Sequence, residues 1–249
     1  NGVHGFYKRK GLFNEEAMQV DAAITALQGA TAVDDGFAAD LLNRLLIVRA
    51  WGYLYAAQFD SGVNTAVEAC ALAQKLENLD NETHARLIWA RILARQNQHE
   101  SALAQFETVV ALAQTTRNQT LEADGWIGIG SQKLWRADVG LAQEPLNYAL
   151  ALCQTLQYKL GEMETLTFLG TLAFRQGFFA LAVAHHERAL YLSRLLGAII
   201  NEAESLGSLG VCVTGQGNLV TSQTYYAEAL AIFRRLNMPE SEQWLLGQM

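Results

Sequence analysis

The densest group of chemically capable side chains in the chain is the run His185-His186-Glu187-Arg188, inside "LGTLAFRQGFFALAVAHHERAL" at 169–190. Paired imidazoles beside a carboxylate suggest metal binding or proton transfer. Adjacent residues of a helix point about 100° apart, however, so the two rings do not share one ion easily, and a zinc site wants three or four ligands. His4, His84 and His99 are isolated in sequence. Cys70, Cys153 and Cys212 are far apart, odd in number and set in apolar helical pattern. They read as small buried hydrophobes in a reducing compartment rather than as a disulfide framework or a metal knuckle. The segment "GWIGIGS" at 125–131 mimics a phosphate-cradling loop, but the chain has no GxxxxGK[ST], no GxSxG and no HExxH. Acid pairs such as Glu15–Glu16, Glu162–Glu164 and Glu202–Glu204 fall at helix starts, where carboxylates suit the helix dipole. The expectation is therefore no catalytic residue, no metal and no cofactor.

Composition says what must hold these residues in place. Of 249 residues 51% are apolar and only two are proline, with alanine and leucine dominant, which favours helix almost everywhere. An all-α protein is expected. The formal charge of −7, from 18 basic and 25 acidic residues, argues against nucleic-acid binding through net charge. No apolar run reaches the roughly 18 residues of a membrane span, and "NGVHGFYKRKG" lacks the apolar middle of a secretory signal. A cytoplasmic protein, with no membrane partner, is expected. The start without methionine and the end after "PESEQWLLGQM" lead to the further expectation of a fragment of a longer polypeptide.

Self-similarity appears at a shift of forty residues. Gly130, Gly170 and Gly210 fall in register, as do Gly177 and Gly217, Gln176 and Gln216, Ala102, Ala142 and Ala182, and the Ala-Leu pairs at 149–150, 189–190 and 229–230. The 20 glycines are too few for a threefold glycine register to be accidental. Five units follow, residues 39–78, 79–118, 119–158, 159–198 and 199–238, preceded by an incomplete repeat and connector at 1–38 and followed by the start of a further helix at 239–249. Each unit holds two helical stretches. In the fourth, the first helix ends near Gln176, Gly177 takes the left-handed conformation that closes it, and Phe179 opens the second. Gly170 and Ala182 are expected to face each other across the pair.

The sequence resembles the tetratricopeptide repeat family. "NQHESALAQFETVVALAQ" at 97–114 and "LGTLAFRQGFFALAVAHHERALYL" at 169–192 look like its helix-turn-helix unit, with a leucine-glycine pair, a turn, a small alanine and a later Ala-Leu pair. The longer period resembles the variant found in bacterial signalling ATPases, large transcriptional regulators and kinesin light chains. "GFYKRKGLFNEEAMQVDAAITAL" resembles the end of one helix and the second helix of an earlier repeat. Ala50 and Ala90 depart from the paired glycine; Ala57, Asn97 and Ala137 depart from the turn glycine. Pro145 falls early in a second helix, which is expected to start late or kink. The resemblance implies a right-handed α-α superhelix, a solenoid of stacked antiparallel helix pairs, with a concave face built from the first helices and used to bind proteins or peptides. His186 then shares a slot with Ala66, Phe106, Leu146 and Tyr226, one that the family fills with an aromatic packing between helices.

The concave face supplies the site expected from this reading. One slot runs Tyr55, Arg95, Trp135, Arg175 and Gly215; one turn earlier runs Trp51, Arg91, Ser131, Thr171 and Val211; Arg44 stands at the start. Guanidinium groups grip carboxylates and aromatic faces offer apolar area at low entropy cost, so the expected partner is an acidic or aromatic-rich protein or peptide. Asp124, Glu164 and Glu204 would favour cations instead. The expected function is a non-catalytic interaction or sensing module of a larger bacterial regulatory protein. The alternative is a structural scaffold that self-associates into a homo-oligomer through convex or terminal surfaces.

Overall fold

The computed structural model describes residues 13–29, 36–136 and 139–248. Twelve α-helices and no strands occur among them. They are α1 (Phe13–Gly29), α2 (Gly36–Tyr55), α3 (Phe59–Lys75), α4 (Leu79–Arg95), α5 (His99–Thr115), α6 (Gln119–Trp135), α7 (Val139–Thr155), α8 (Lys159–Arg175), α9 (Phe179–Leu196), α10 (Ile199–Gly215), α11 (Leu219–Arg235) and α12 (Pro239–Leu246). The chain divides into two compact units, Asn1–Trp135 and Arg136–Met249.

The turns set the rhythm. Residues 57, 77, 97, 117, 157, 177, 197, 217 and 237 all have positive φ, so a left-handed residue recurs every twentieth position; Ala137 lies outside the described residues. At each turn the next amide reaches back to the helix it leaves, as Asn78 N–H does to Ala73 O at 3.0 Å and Phe178 N–H to Ala173 O at 2.8 Å. This is the backbone pattern that satisfies the last carbonyls of a helix. Glycine serves at 177, 197 and 217, whereas Ala57 (φ 55°) and Asn97 (φ 59°) adopt the same conformation with a side chain. The departures noted from sequence thus change the cost of the turn and leave its geometry intact.

Within each unit every helix packs on the next, and successive first helices also touch, α2 on α4 and α4 on α6 in the first unit and α8 on α10 in the second. The second helices offer a small-residue stripe, Ala66, Ala69 and Ala73 in α3 and Ala102, Val109 and Ala113 in α5, all fully buried. Small side chains there let helix axes approach closely. Pro145 lies in the interior of α7, which nonetheless begins at Val139, in step with its counterparts, and runs as one 17-residue helix. The expected late start is therefore corrected. Proline removes one i to i−4 bond in the second turn, and the rest of the helix is held by the burial of Ala142, Leu146, Ala149 and Cys153.

Gly170 lies against His186, and Ala182 clusters with Ala173 and Cys212. A Cβ on Gly170 would lie 2.6 Å from His186 Nε2, so the glycine is the notch that receives the imidazole. Gly210 receives the Tyr226 ring in the same way, while Phe106, facing Ala90 in its own pair, turns its ring onto Gly128 of the next first helix. His186 is buried, and its desolvation, with a smaller push from His185, lowers its pKa to about 4. A neutral packing ring is the result.

A polar clip ties the repeats together. Gln74 donates to Glu82 and Gln114 to Glu122, both at 2.8 Å; Arg194 meets Glu202 at 2.8 Å and Arg234 meets Glu242 at 2.7 Å. Each bond joins the end of one second helix to the start of the next first helix. The glutamates at 82, 122, 162, 202 and 242 are in register; four of them make this clip, while Glu162 meets Lys159 at 2.8 Å and Arg188 at 3.5 Å.

Candidate functional site

The three first helices of unit one present one continuous face. Its centre is Arg91, on α4. The guanidinium lies 5.5 Å over the Trp51 ring of α2, a cation–π distance, and 3.5 Å from Asp124 Oδ1 of α6. Trp51 stacks on Tyr55 with ring centroids 6.0 Å apart and planes 24° from parallel. Burial pushes the Tyr55 phenol up, against the opposing pull of Arg91. One guanidinium therefore bridges three successive helices, and Trp51, only 6% exposed, forms the floor beneath it.

The structure sorts the residues expected at this face. Trp51, Tyr55 and Arg91 are joined to one another, and Asp124, read from sequence as part of a zone favouring cations, is buried against Arg91. Arg44 and Arg95 are exposed, and Trp135 is 51% exposed. His84 shares the slot of Arg44 and is exposed too. Arg175, in the second unit, is an exposed residue at the end of α8. The Arg91–Asp124 link was not visible in the sequence reading. Its only signal is a spacing of 33, seven short of the repeat, which joins the end of one first helix to the start of the next.

Among the described residues no group of three or more His, Cys, Asp or Glu side chains converges as a metal site. The three thiols are buried, and burial raises Cys70 and Cys212 to about 11, so they stay protonated and unreactive at neutral pH. No helix among the described residues is long and apolar enough to cross a membrane.

Antiparallel helix pairs, left-handed turns at fixed intervals and a layer of adjoining first helices define an α-solenoid. Residues 161–235 match the family model for the tetratricopeptide repeat. No curated protein matches the chain. Among solved structures, BtubC (BKLC) from P. vanneervenii is similar with a TM-score of 0.69 at 16% identity, over 91% of this chain and 93% of that one. The Rap conjugation gene regulator of the plasmid pLS20, in complex with the Phr* peptide, gives 0.72 at 11% identity over 86% of this chain and 59% of that one. The signal transduction ATPase PH0952 from Pyrococcus horikoshii, a STAND protein with a tetratricopeptide repeat sensor, gives 0.68 at 13% identity over 95% of this chain and 37% of that one. These likenesses are of fold.

Proposed function

We propose that this chain is a non-catalytic module that binds a protein or peptide on the face formed by α2, α4 and α6, and that it serves as the sensing or interaction region of a larger bacterial regulator. One observation carries the reading. Arg91 lies between Trp51 and Asp124 and so joins the three helices, on which Arg44, Arg95 and Trp135 are exposed. Two guanidinium groups and an indole suit an acidic partner with an aromatic or apolar anchor. The Rap regulator bound to a peptide and the ATPase with a repeat sensor support the regulatory setting by analogy of fold. Three buried free thiols fit a reducing cytoplasm, and the net charge of −7 fits a protein rather than a nucleic-acid partner.

The test is a titration of the chain with fluorescein-labelled acidic peptides containing tryptophan or phenylalanine, repeated on the Arg44→Glu, Arg95→Glu double variant. Both sites are exposed, so the fold survives the change. A roughly tenfold or greater loss of affinity supports the face as the recognition surface. Equal binding by parent and variant sinks it. Light scattering on the same samples separates the scaffold reading, in which self-association persists with the groove charges reversed.

A further inference from the structure

The chemistry that suits the unit-one face occurs within the chain itself, on α12. Residues 236–249 contain Glu240 and Glu242 and no Lys or Arg. Glu242 accepts from Arg234 at 2.7 Å, whereas Glu240 is exposed in the first turn of the helix. Trp244 follows Glu240 by four residues, so carboxylate and indole stand one turn apart on one side of the helix. Leu245 is the buried residue of α12, and at about 100° per residue Glu240, Trp244 and Leu246 all lie about 100° or more away from it. Trp244 and Leu246 are each 48% exposed.

Trp244 is out of keeping with its register. The same slot holds Arg44, His84, Asp124, Glu164 and Glu204 in the other first helices, an ionisable side chain each time. The indole is also held in place. A Cβ on Gly207 of α10 would lie 3.1 Å from Trp244 Cζ3, at a slot where earlier first helices carry Ile47, Leu87, Ile127 and Thr167. A ring fixed along one side and half open on the other loses little rotamer freedom when a partner covers it. On the receiving side, Arg44 precedes Trp51 by seven residues and Arg95 follows Arg91 by four. Each exposed guanidinium therefore shares the helix face that carries the Arg91–Trp51 contact.

We infer that α12 of one copy docks on the α2–α4–α6 face of a second copy, setting Glu240 toward the exposed arginines and covering Trp244, so that the chain assembles head to tail. The inference rests on the reading of that face as a site for acidic, aromatic segments, and it names an occupant. Charge complementarity argues for this one: a segment with two acids and no base meets exposed Arg44 and Arg95. Two different surfaces are used, so the contact is heterologous, and each added copy leaves one of each surface open for the next. An eight-residue helix offers less than the roughly 800 Å² per partner of a stable protein pair, so assembly is weak and depends on concentration.

The test is sedimentation velocity on the whole chain from micromolar to millimolar concentration. The mass of the parent is expected to rise past that of a dimer. Two variants each remove one surface: Arg44→Glu, Arg95→Glu on the face, and Glu240→Gln, Leu246→Ser on the helix. All four positions are exposed and Trp244 keeps its seat on Gly207, so melting temperatures stay near that of the parent. Each variant alone is expected to be monomeric. Their equimolar mixture is expected to stop at a dimer, since each supplies the surface that the other lacks. The inference is overturned by a parent that is monomeric throughout or stops at a dimer, by association that either variant leaves intact, or by a mixture no larger than its components. Acidic synthetic peptides that bind the parent while its copies stay apart would sink this inference and spare the reading of the face. Peptides that fail to bind would count against that reading instead.

Discussion

A methyl group added at Gly170 would press on the His186 imidazole, and one at Gly128 would lie 2.2 Å from Phe106 Cδ1. Both rings are enclosed, so Gly170→Ala and Gly128→Ala are each expected to cost about 1–3 kcal/mol in urea unfolding. Gly52 is the contrast. Nothing lies within 4 Å of a Cβ there, and Gly52→Ala in α2 is expected to stabilise by roughly 0.5–1 kcal/mol. His186 adds a pH dependence. Its pKa of about 4 in the folded chain lies below its ordinary 6.5, so between these values the unfolded state binds the extra proton and stability falls as pH drops from 6.5 to 4. His186→Phe, matching Phe106 in register, is expected to flatten that decline when melting temperature is measured across the window. The register made the packing role of His186 legible. It did not show which glycine each ring meets, because a large residue can turn to its own first helix or to the next, as Phe106 does.

Helix and turn form the next scale, and here left-handed residues with side chains are the lever. Ala57→Gly is expected to hold or raise stability by up to about 1 kcal/mol, and Gly177→Ala (φ 80°) to lower it by about 1 kcal/mol or more, read from denaturation midpoints. Glu82 accepts from Gln74 and from Arg86, both at 2.8 Å, in a mostly buried setting. Glu82→Ala is expected to cost about 1–3 kcal/mol. The forty-residue period was readable from glycine and Ala-Leu coincidences, whereas the twenty-residue spacing of turns was not. First and second helices share a backbone rhythm but meet different neighbours, so their side chains differ, and only 177, 197 and 217 mark the half-period with glycine. The late start expected from Pro145 did not occur, and α7 begins at Val139 with its buried face in place.

For the molecule as a whole, stability in a solenoid comes from neighbours, so its ends open first. In α12, eight residues long, Leu245 is the buried residue, and its amides are expected to exchange with deuterium well before those of α4 or α5. Groove charge and fold separate at this scale too. The exposed pair Arg44 and Arg95 can be reversed with little loss of stability. Arg91→Glu, by contrast, sets a second carboxylate against Asp124 and is expected to cost about 3 kcal/mol or more. The sequence reading put Arg91 on a first helix but did not show its tie to Asp124, because a contact between consecutive first helices depends on their rotational phase, which periodicity alone leaves open.

The even spacing of the turns also makes the chain divisible. Tyr158 and Ala198 both precede a first helix and follow a left-handed residue, at 157 and 197. Excising 159–198 would therefore splice one junction onto its equivalent, and the shortened protein should keep every remaining turn closed. Removing twenty residues instead would hand the duties of a first helix to a second. The protein's natural unit of growth and loss is the pair, never the single helix.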